Sequence, residues 1–410
     1  VQIGSLIKYH RTKKGITQRE LAMGICSIPH LSKIENNAKD ANKETLRLLL
    51  ERLEINLQDV EKSEQNIRHL LKEFLDHIQF YEKEKITEAF NQLENYVDII
   101  VFTDYAYVYE LYRLRYYVFI RDFNKAEEQS KWLQAQKQNF SQHEEYLFTY
   151  FKALFLVLRG RYEEGDELLT RLVQADNRIS HLEGEFYYHL GLVKGHLHQH
   201  SQAIFYGKKS LESYYEEYNL KRILHVMMML AINYSRAELY DEALEIYSHL
   251  LRNAEMFNQI ELLPHIYNNI GDLHDSMANH SIALAYFKKS VSLMSKDTDF
   301  YLLSLYNLAY TEYKLGLWED SKDSFELLKA EATQMRVVHF RLFATFYLLL
   351  LSDQEVKAMD LLENKILPST SKLAVLIGAK EHYSSILANY YKREGKFEKA
   401  VQYIDKGENG

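Results

Sequence analysis

The chain has 410 residues, a net charge of −8, 32 tyrosines and 20 phenylalanines, but only three prolines and fifteen glycines. That length exceeds one ordinary hydrophobic core, which excludes a single compact domain in favour of several domains or a repeat array. The composition excludes a sheet protein built on many tight turns and points to an all-α fold.

The lone cysteine, Cys26, cannot form an intrachain disulfide, and no apolar run is long enough for a signal peptide or a membrane span. A cytoplasmic protein without a membrane partner is therefore expected. The acidic total argues against a general nucleic-acid coat, but the charge is uneven: residues 1 to 34 hold Lys8, Arg11, Lys13, Lys14, Arg19 and Lys33 against Glu20 alone.

Caps and hydrophobic periods predict five short helices at the start: Ile3 to Lys14, Thr17 to Met23, Ile28 to Asn36, Lys43 to Leu53, and a continuation beyond. Gly15 ends the first. Thr17 and Glu20 form a capping box for the second, and Ser27 caps the third, whose first turn tolerates Pro29. Leu21, Ala22, Ile25, Leu31 and Ile34 face a small common core, and Asn37 leaves the third helix in the left-handed conformation that asparagine tolerates.

Thr17, Gln18, Glu20, Leu21 and Ala22, followed by Ser27, Leu31, Ser32, Lys33, Ile34 and Glu35, make this segment resemble the XRE (Cro/CI-like) helix-turn-helix family over about 55 residues. The family usually has glycine where this chain has Asn37. The resemblance implies that the third helix enters the major groove of double-stranded operator DNA. Gln18 and Arg19 would then touch phosphates, with Ser27, Ile28, Pro29, His30, Ser32 and Lys33 at base edges or adjacent phosphates. One module of this size binds weakly, so a homodimer or higher oligomer reading two half-sites is expected.

From about Gln65 onward a helical hairpin recurs. A small residue marks the second helix of each copy at Ala126, Gly165, Ala203, Ala243, Ala283, Ser321, Ala358 and Ala400, spaced 37 to 42 residues apart. Twelve residues earlier most copies hold another small residue: Ala153, Gly191, Ala231, Gly271, Ala309 and Ala388. Many of the intervening turns are marked by glycine, and Pro264 falls at the first position of its copy. The units resemble tetratricopeptide repeats, lengthened to nearly 40 residues. The expected organisation is a helix-turn-helix domain at 1–58, a helical linker at 59–70 and a superhelical array of about eight or nine hairpins at 71–410.

In such an array the first helices line one surface. Asn269 and Asn307 take the same register position in neighbouring copies, with His189 equivalent to them further back. A carboxamide carries a donor and an acceptor, so stacked asparagines can pair with an extended peptide backbone regardless of its sequence. Arg115, Asn233, Arg236, Asn268, Asp272 and Lys314 are further inward candidates for ligand side chains or termini. Met227 to Met229 reads as core.

No catalytic constellation emerges. His196, His198 and His200 lack a following carboxylate at useful spacing and read as structural or solvated, and the GKKS run at Gly207 to Ser210 lacks the upstream glycine of a phosphate loop. No metal or cofactor is expected.

A helix-turn-helix segment joined to a long array of about 40-residue repeats resembles the RRNPP-type peptide-pheromone quorum-sensing regulators of Gram-positive bacteria. Length and repeat number are most like the NprR members, PlcR-like members being shorter. The resemblance implies a transcriptional regulator switched by a short re-imported signalling peptide, whose backbone is held by repeat-helix asparagines, here Asn269, Asn307 and Asn233. The alternative is a Rap-like module, binding or dephosphorylating a phosphorelay response regulator; no Rap-type catalytic glutamine maps onto this chain.

Overall fold

The computed structural model describes residues 2–38, 41–175, 182–370 and 379–408, and among them every regular element is helical. Four short helices open the chain: α1 (Ile3–Lys13), α2 (Gln18–Ala22), α3 (Ile28–Glu35) and α4 (Lys43–Arg52). Gly15 ends the first turn at φ 70°. The Thr17/Glu20 capping box is formed in both directions, and Ser27 accepts the backbone N–H of His30, each cap worth about 1 kcal/mol. Asn37 leaves α3 at φ 54° with its amide on Ser5 Oγ at 2.7 Å. Leu6, Ile7, Leu21, Leu31, Leu49 and Leu50 close a core in which Ile25 is only partly buried.

The fifth helix, α5 (Leu57–Phe80), runs 24 residues without a break. Its Val60 belongs to the core of the four opening helices, whereas Ile67, Leu70, Leu71, Phe74 and Ile78 belong to the core of the repeats. Periodicity showed that a helix continues here; that one helix serves both cores follows only from the packing.

With Lys83–Glu94, α5 makes the first of nine antiparallel hairpins among the described residues. The others pair a first (A) helix with a second (B) helix: Ala106–Phe119 with Phe123–Gln136, Gln142–Leu158 with Tyr162–Gln174, Glu183–His196 with His200–Glu216, and Leu220–Arg236 with Tyr240–Met256. Then follow Leu263–Ser276 with His280–Leu293, Asp299–Lys314 with Trp318–Gln334, Val338–Leu351 with Glu355–Leu361, and Ala379–Arg393 with Phe397–Glu408. The array divides into two compact units, residues 1–226 and 227–410.

The small-residue register is where helices cross. Ala126, Ala203, Ala243, Ala283, Ser321 and Ala358 are all fully buried, as are Ala153, Ala231 and Ala309 on the A helices. A Cβ placed on Gly271 would lie 2.7 Å from the ring of Phe287, so only glycine admits that contact. Ser321 replaces alanine without loss because its hydroxyl donates to Ala309 O at 3.0 Å. Pro264 sits in the first turn of its A helix, where a missing N–H has no cost.

Each A–B turn holds one residue at positive φ: Tyr81, Arg121, Gly160, His198, Glu238, Ala278, Gly316, Asp353 and Gly395. Only three are glycine, so glycine marks these turns less often than the sequence suggests. His198 fills such a turn, and His196 stacks on Tyr162 at 4.3 Å with rings nearly parallel, so two of the three clustered histidines have structural duties.

Candidate functional site

On the opening domain, α3 from its first turn and the start of α2 present exposed residues. Arg19, Ser27, Ile28, Pro29 and Lys33 are exposed, with Gln18, His30 and Ser32 half-buried. What holds this face is a buried charge at its base. Glu35, closing α3, has no exposed side-chain surface and accepts from Arg11 Nε at 2.6 Å and Nη2 at 3.1 Å; Gln18 Nε2 reaches the same carboxylate at 2.7 Å. Arg11 also donates to Ile16 O at 2.9 Å, so one ion pair ties α1, the turn, α2 and α3 together. From α4, Arg52 donates to Leu21 O at 3.0 Å and to Met23 O, capping the carbonyl end of α2 and fixing the turn into α3.

The opening domain is also docked on the repeats of its own unit. Gln2 N donates to Phe102 O at 2.5 Å, the Tyr9 and Phe102 rings lie 5.3 Å apart, Tyr9 Oη reaches Asp98 at 3.4 Å, and Lys13 Nζ lies 3.8 Å from the same carboxylate. The α3 face is therefore carried by a rigid base: α5 below and the segment after the first hairpin at its side.

Of the groups expected to face a ligand, two lie in the first unit. Arg115 is a correction. It is 6% exposed and paired with the buried Glu185 at 2.7 Å, so it is a core cation, not an open contact. Arg222 joins the same carboxylate at 3.3 Å and donates to Ile78 O and Gln79 O at 2.9 Å each, while Asn219 also donates to Gln79 O at 3.1 Å. The last carbonyls of α5 are thus capped by the fifth hairpin. Burial raises the Glu185 carboxyl, but Arg115 and Arg222 outweigh it and hold the group at about 2. His189 is half-buried, 2.9 Å from Tyr150 Oη, and burial pushes its pKa down to about 3, so the ring is neutral near pH 7.

The remaining candidates belong to consecutive A helices of the second unit. Asn269 and Asn307 are half-buried; Asn269 Nδ2 lies 3.1 Å from Met228 Sδ, and Asn307 Nδ2 donates to Asn268 Oδ1 at 3.2 Å. Among the described residues neither of their carboxamide oxygens meets a protein donor. Asn268, by contrast, is buried and receives Ser304 Oγ at 3.0 Å as well, and Asn233 is buried with its amide on Met229 O at 2.9 Å. Both are structural amides rather than open ones, which corrects their placement on a ligand surface. Arg236 pairs with Asp272 at 3.3 Å, and Lys314 pairs with Asp275 at 2.5 Å while lying 4.4 Å over the Tyr310 ring.

Sequence reasoning missed Asp275, Tyr310 and His382. Asp275 also accepts from His280 at 2.7 Å, and Tyr310 packs on Tyr347 and His382. Tyr310 stands three residues past Asn307 and Asp275 three past Asp272, so the helical period could have flagged both. Nothing local marks His382, which is brought in by the ninth hairpin.

Comparisons with known proteins match this geometry. Residues 7–60 match a helix-turn-helix family and residues 264–296 a tetratricopeptide-repeat family. The transcriptional activator NprA of Geobacillus stearothermophilus is 27% identical over 396 residues, spanning 93% of this chain and 97% of that one. The apo form of the quorum sensor NprR from B. thuringiensis superposes with a TM-score of 0.70 at 21% identity, covering 83% of this chain and 97% of the sensor. In fold the chain is similar to NprR. NprR in complex with its cognate peptide NprX gives a TM-score of 0.66 at 22% identity over the same shares of both chains. A Rap protein complexed with competence and sporulation factor gives 0.68 at 14%, covering 84% of this chain and 97% of that one. Among the described residues no helix is long and apolar enough to cross a membrane, and no group of three or more His, Cys, Asp or Glu residues could hold a metal ion.

Proposed function

We propose that the chain is a peptide-controlled transcriptional regulator: the α3 face reads operator DNA, and the A-helix row around Asn269 and Asn307 holds a short signalling peptide. The observation that carries the reading is α5, a single helix built into the cores of both the DNA-reading domain and the repeats. A change in repeat packing is therefore transmitted to the reading head without a flexible linker to absorb it. NprA is named an activator and NprR is known with a bound peptide, which supports the same division of labour here.

On the row itself, the open carboxamide oxygens of Asn269 and Asn307 would accept peptide N–H groups. Asp272, Asp275, Arg236 and Lys314 offer charges for termini or side chains. Peptide would favour one of two repeat packings and so reset the spacing of two α3 helices in a dimer; a coupling of about 1–3 kcal/mol gives useful control. The purified chain, mixed with synthetic peptides from a short reading frame neighbouring its gene, should change its operator affinity or oligomeric state at least fivefold with one of them. No change with any would defeat the reading.

The Rap likeness favours a second activity on a phosphorylated response regulator. A pull-down with that regulator separates the cases: loss of its phosphate supports an enzyme, stoichiometric capture a scaffold.

A further inference from the structure

The reading helix is poor in the side chains that usually specify bases. Between Ile28 and Glu35 there is no arginine, asparagine or glutamine, and Lys33 is the one residue there of a type that pairs with guanine. The amides nearby are committed elsewhere: Gln18 to the buried Glu35, Asn37 back to Ser5, and Asn36 Oδ1 to Lys8.

At its leading end the face presents apolar groups. Ile28, the first residue of α3, is 43% exposed and Met23 in the preceding turn is 64% exposed, in a domain whose other large apolar side chains among the described residues are buried or half-buried. Pro29 beside Ile28 is exposed as well. Their placement is rigid: Ser27 caps the helix under Ile28, and Arg52 holds the Met23 carbonyl. An exposed isoleucine at the leading end of a groove-entering helix has one apolar partner on a base-pair edge, the C5-methyl of thymine.

We propose that Ile28 is a specificity-determining residue that selects an A·T pair in each half-site by contact with the thymine methyl. The inference rests on the operator-reading function proposed above. Removing one methyl–apolar contact weakens binding by about fourfold.

The test starts with the full chain selecting sites from random duplex DNA, after which each thymine of the selected site is replaced singly by uracil. One position per half-site should lose about fourfold in affinity and the other thymines little. Ile28→Ala should bind less tightly and be indifferent to uracil at that position alone. Ile28→Gln, which offers the paired hydrogen bonds of a carboxamide, should tolerate uracil and depend instead on the adenine. A wild-type chain indifferent to every uracil, or an Ile28→Ala chain that keeps the sensitivity, overturns the assignment. A chain that selects no sequence at all overturns the operator reading with it.

Discussion

Arg222 divides its guanidinium between the Glu185 carboxylate and the Ile78 and Gln79 carbonyls in the last turn of α5, so its removal strands acceptors on both sides. Arg222→Met should cost about 3–5 kcal/mol, because the buried carboxylate and the carbonyls lose a partner together; urea unfolding of the full chain measures it. Acid should act through neighbouring rings first. Burial pushes His189 and His225 down to about 3 and His382 to about 4. Unfolded histidine binds its proton near 6.5, so between that pH and those values the unfolded state holds more protons and stability falls as pH falls, by at most about 1.4 kcal/mol per pH unit for each ring. Glu185, held at about 2, adds stability that is complete above its ordinary value of 4.5 and is lost only below it. The thermal midpoint should therefore decline between pH 6.5 and 5, before carboxylates titrate, and His225→Asn should flatten that decline; a level midpoint in the wild type would contradict the burial of these rings. None of this was legible in the sequence. Arg115 looks like any polar residue on a helix face, because its partner lies 70 residues away, and a single sequence carries no signal for that pairing. Asn37 and the Thr17 box, by contrast, were legible because their partners are local.

At the scale of elements, what the sequence reveals is what repeats. The buried alanines and glycines recur because hairpins of one size cross at one point, so spacing alone locates eight of the nine crossings. The turns were less legible: a left-handed residue is required in each, yet the fixed helix ends on either side hold Arg121, Glu238 or Asp353 in that conformation despite its strain. Helix α5 was legible as a helix but not as a shared one, since an amphipathic stripe shows that a helix has a buried face but not that two cores share it. Its length carries a prediction. Ser63 lies between Val60 and Ile67, in the stretch that spans the two cores. Ser63→Pro would remove a backbone hydrogen bond and kink the helix, at about 3 kcal/mol. DNA affinity without peptide and peptide affinity without DNA should each survive within a few fold, while the effect of peptide on DNA affinity should vanish. Retained coupling would show that the signal travels by the Phe102 contact instead.

For the whole molecule, charge decides how the reading head meets DNA. The acidic remainder leaves little reason for residues far from the head to approach phosphate, and the head's own basic surplus is smaller than its count suggests. Arg11 is committed to Glu35, Lys14 to Glu54 at 2.8 Å and Lys13 to Asp98 at 3.8 Å. Arg19 and Lys33 are the two exposed cations on the α2–α3 face that have no acidic partner among the described residues. A two-headed form would then neutralise on the order of four phosphates with these side chains, and log affinity should fall with log salt at a slope of roughly −4. Lys33→Ala, present in both heads, should flatten the slope by about 2 and weaken all sequences alike, whereas Ile28→Ala should leave the slope unchanged and alter only which sequence is preferred. A wild-type slope beyond about −8 would mean that basic groups outside α2 and α3 reach the duplex, despite the acidic balance of the chain that carries them.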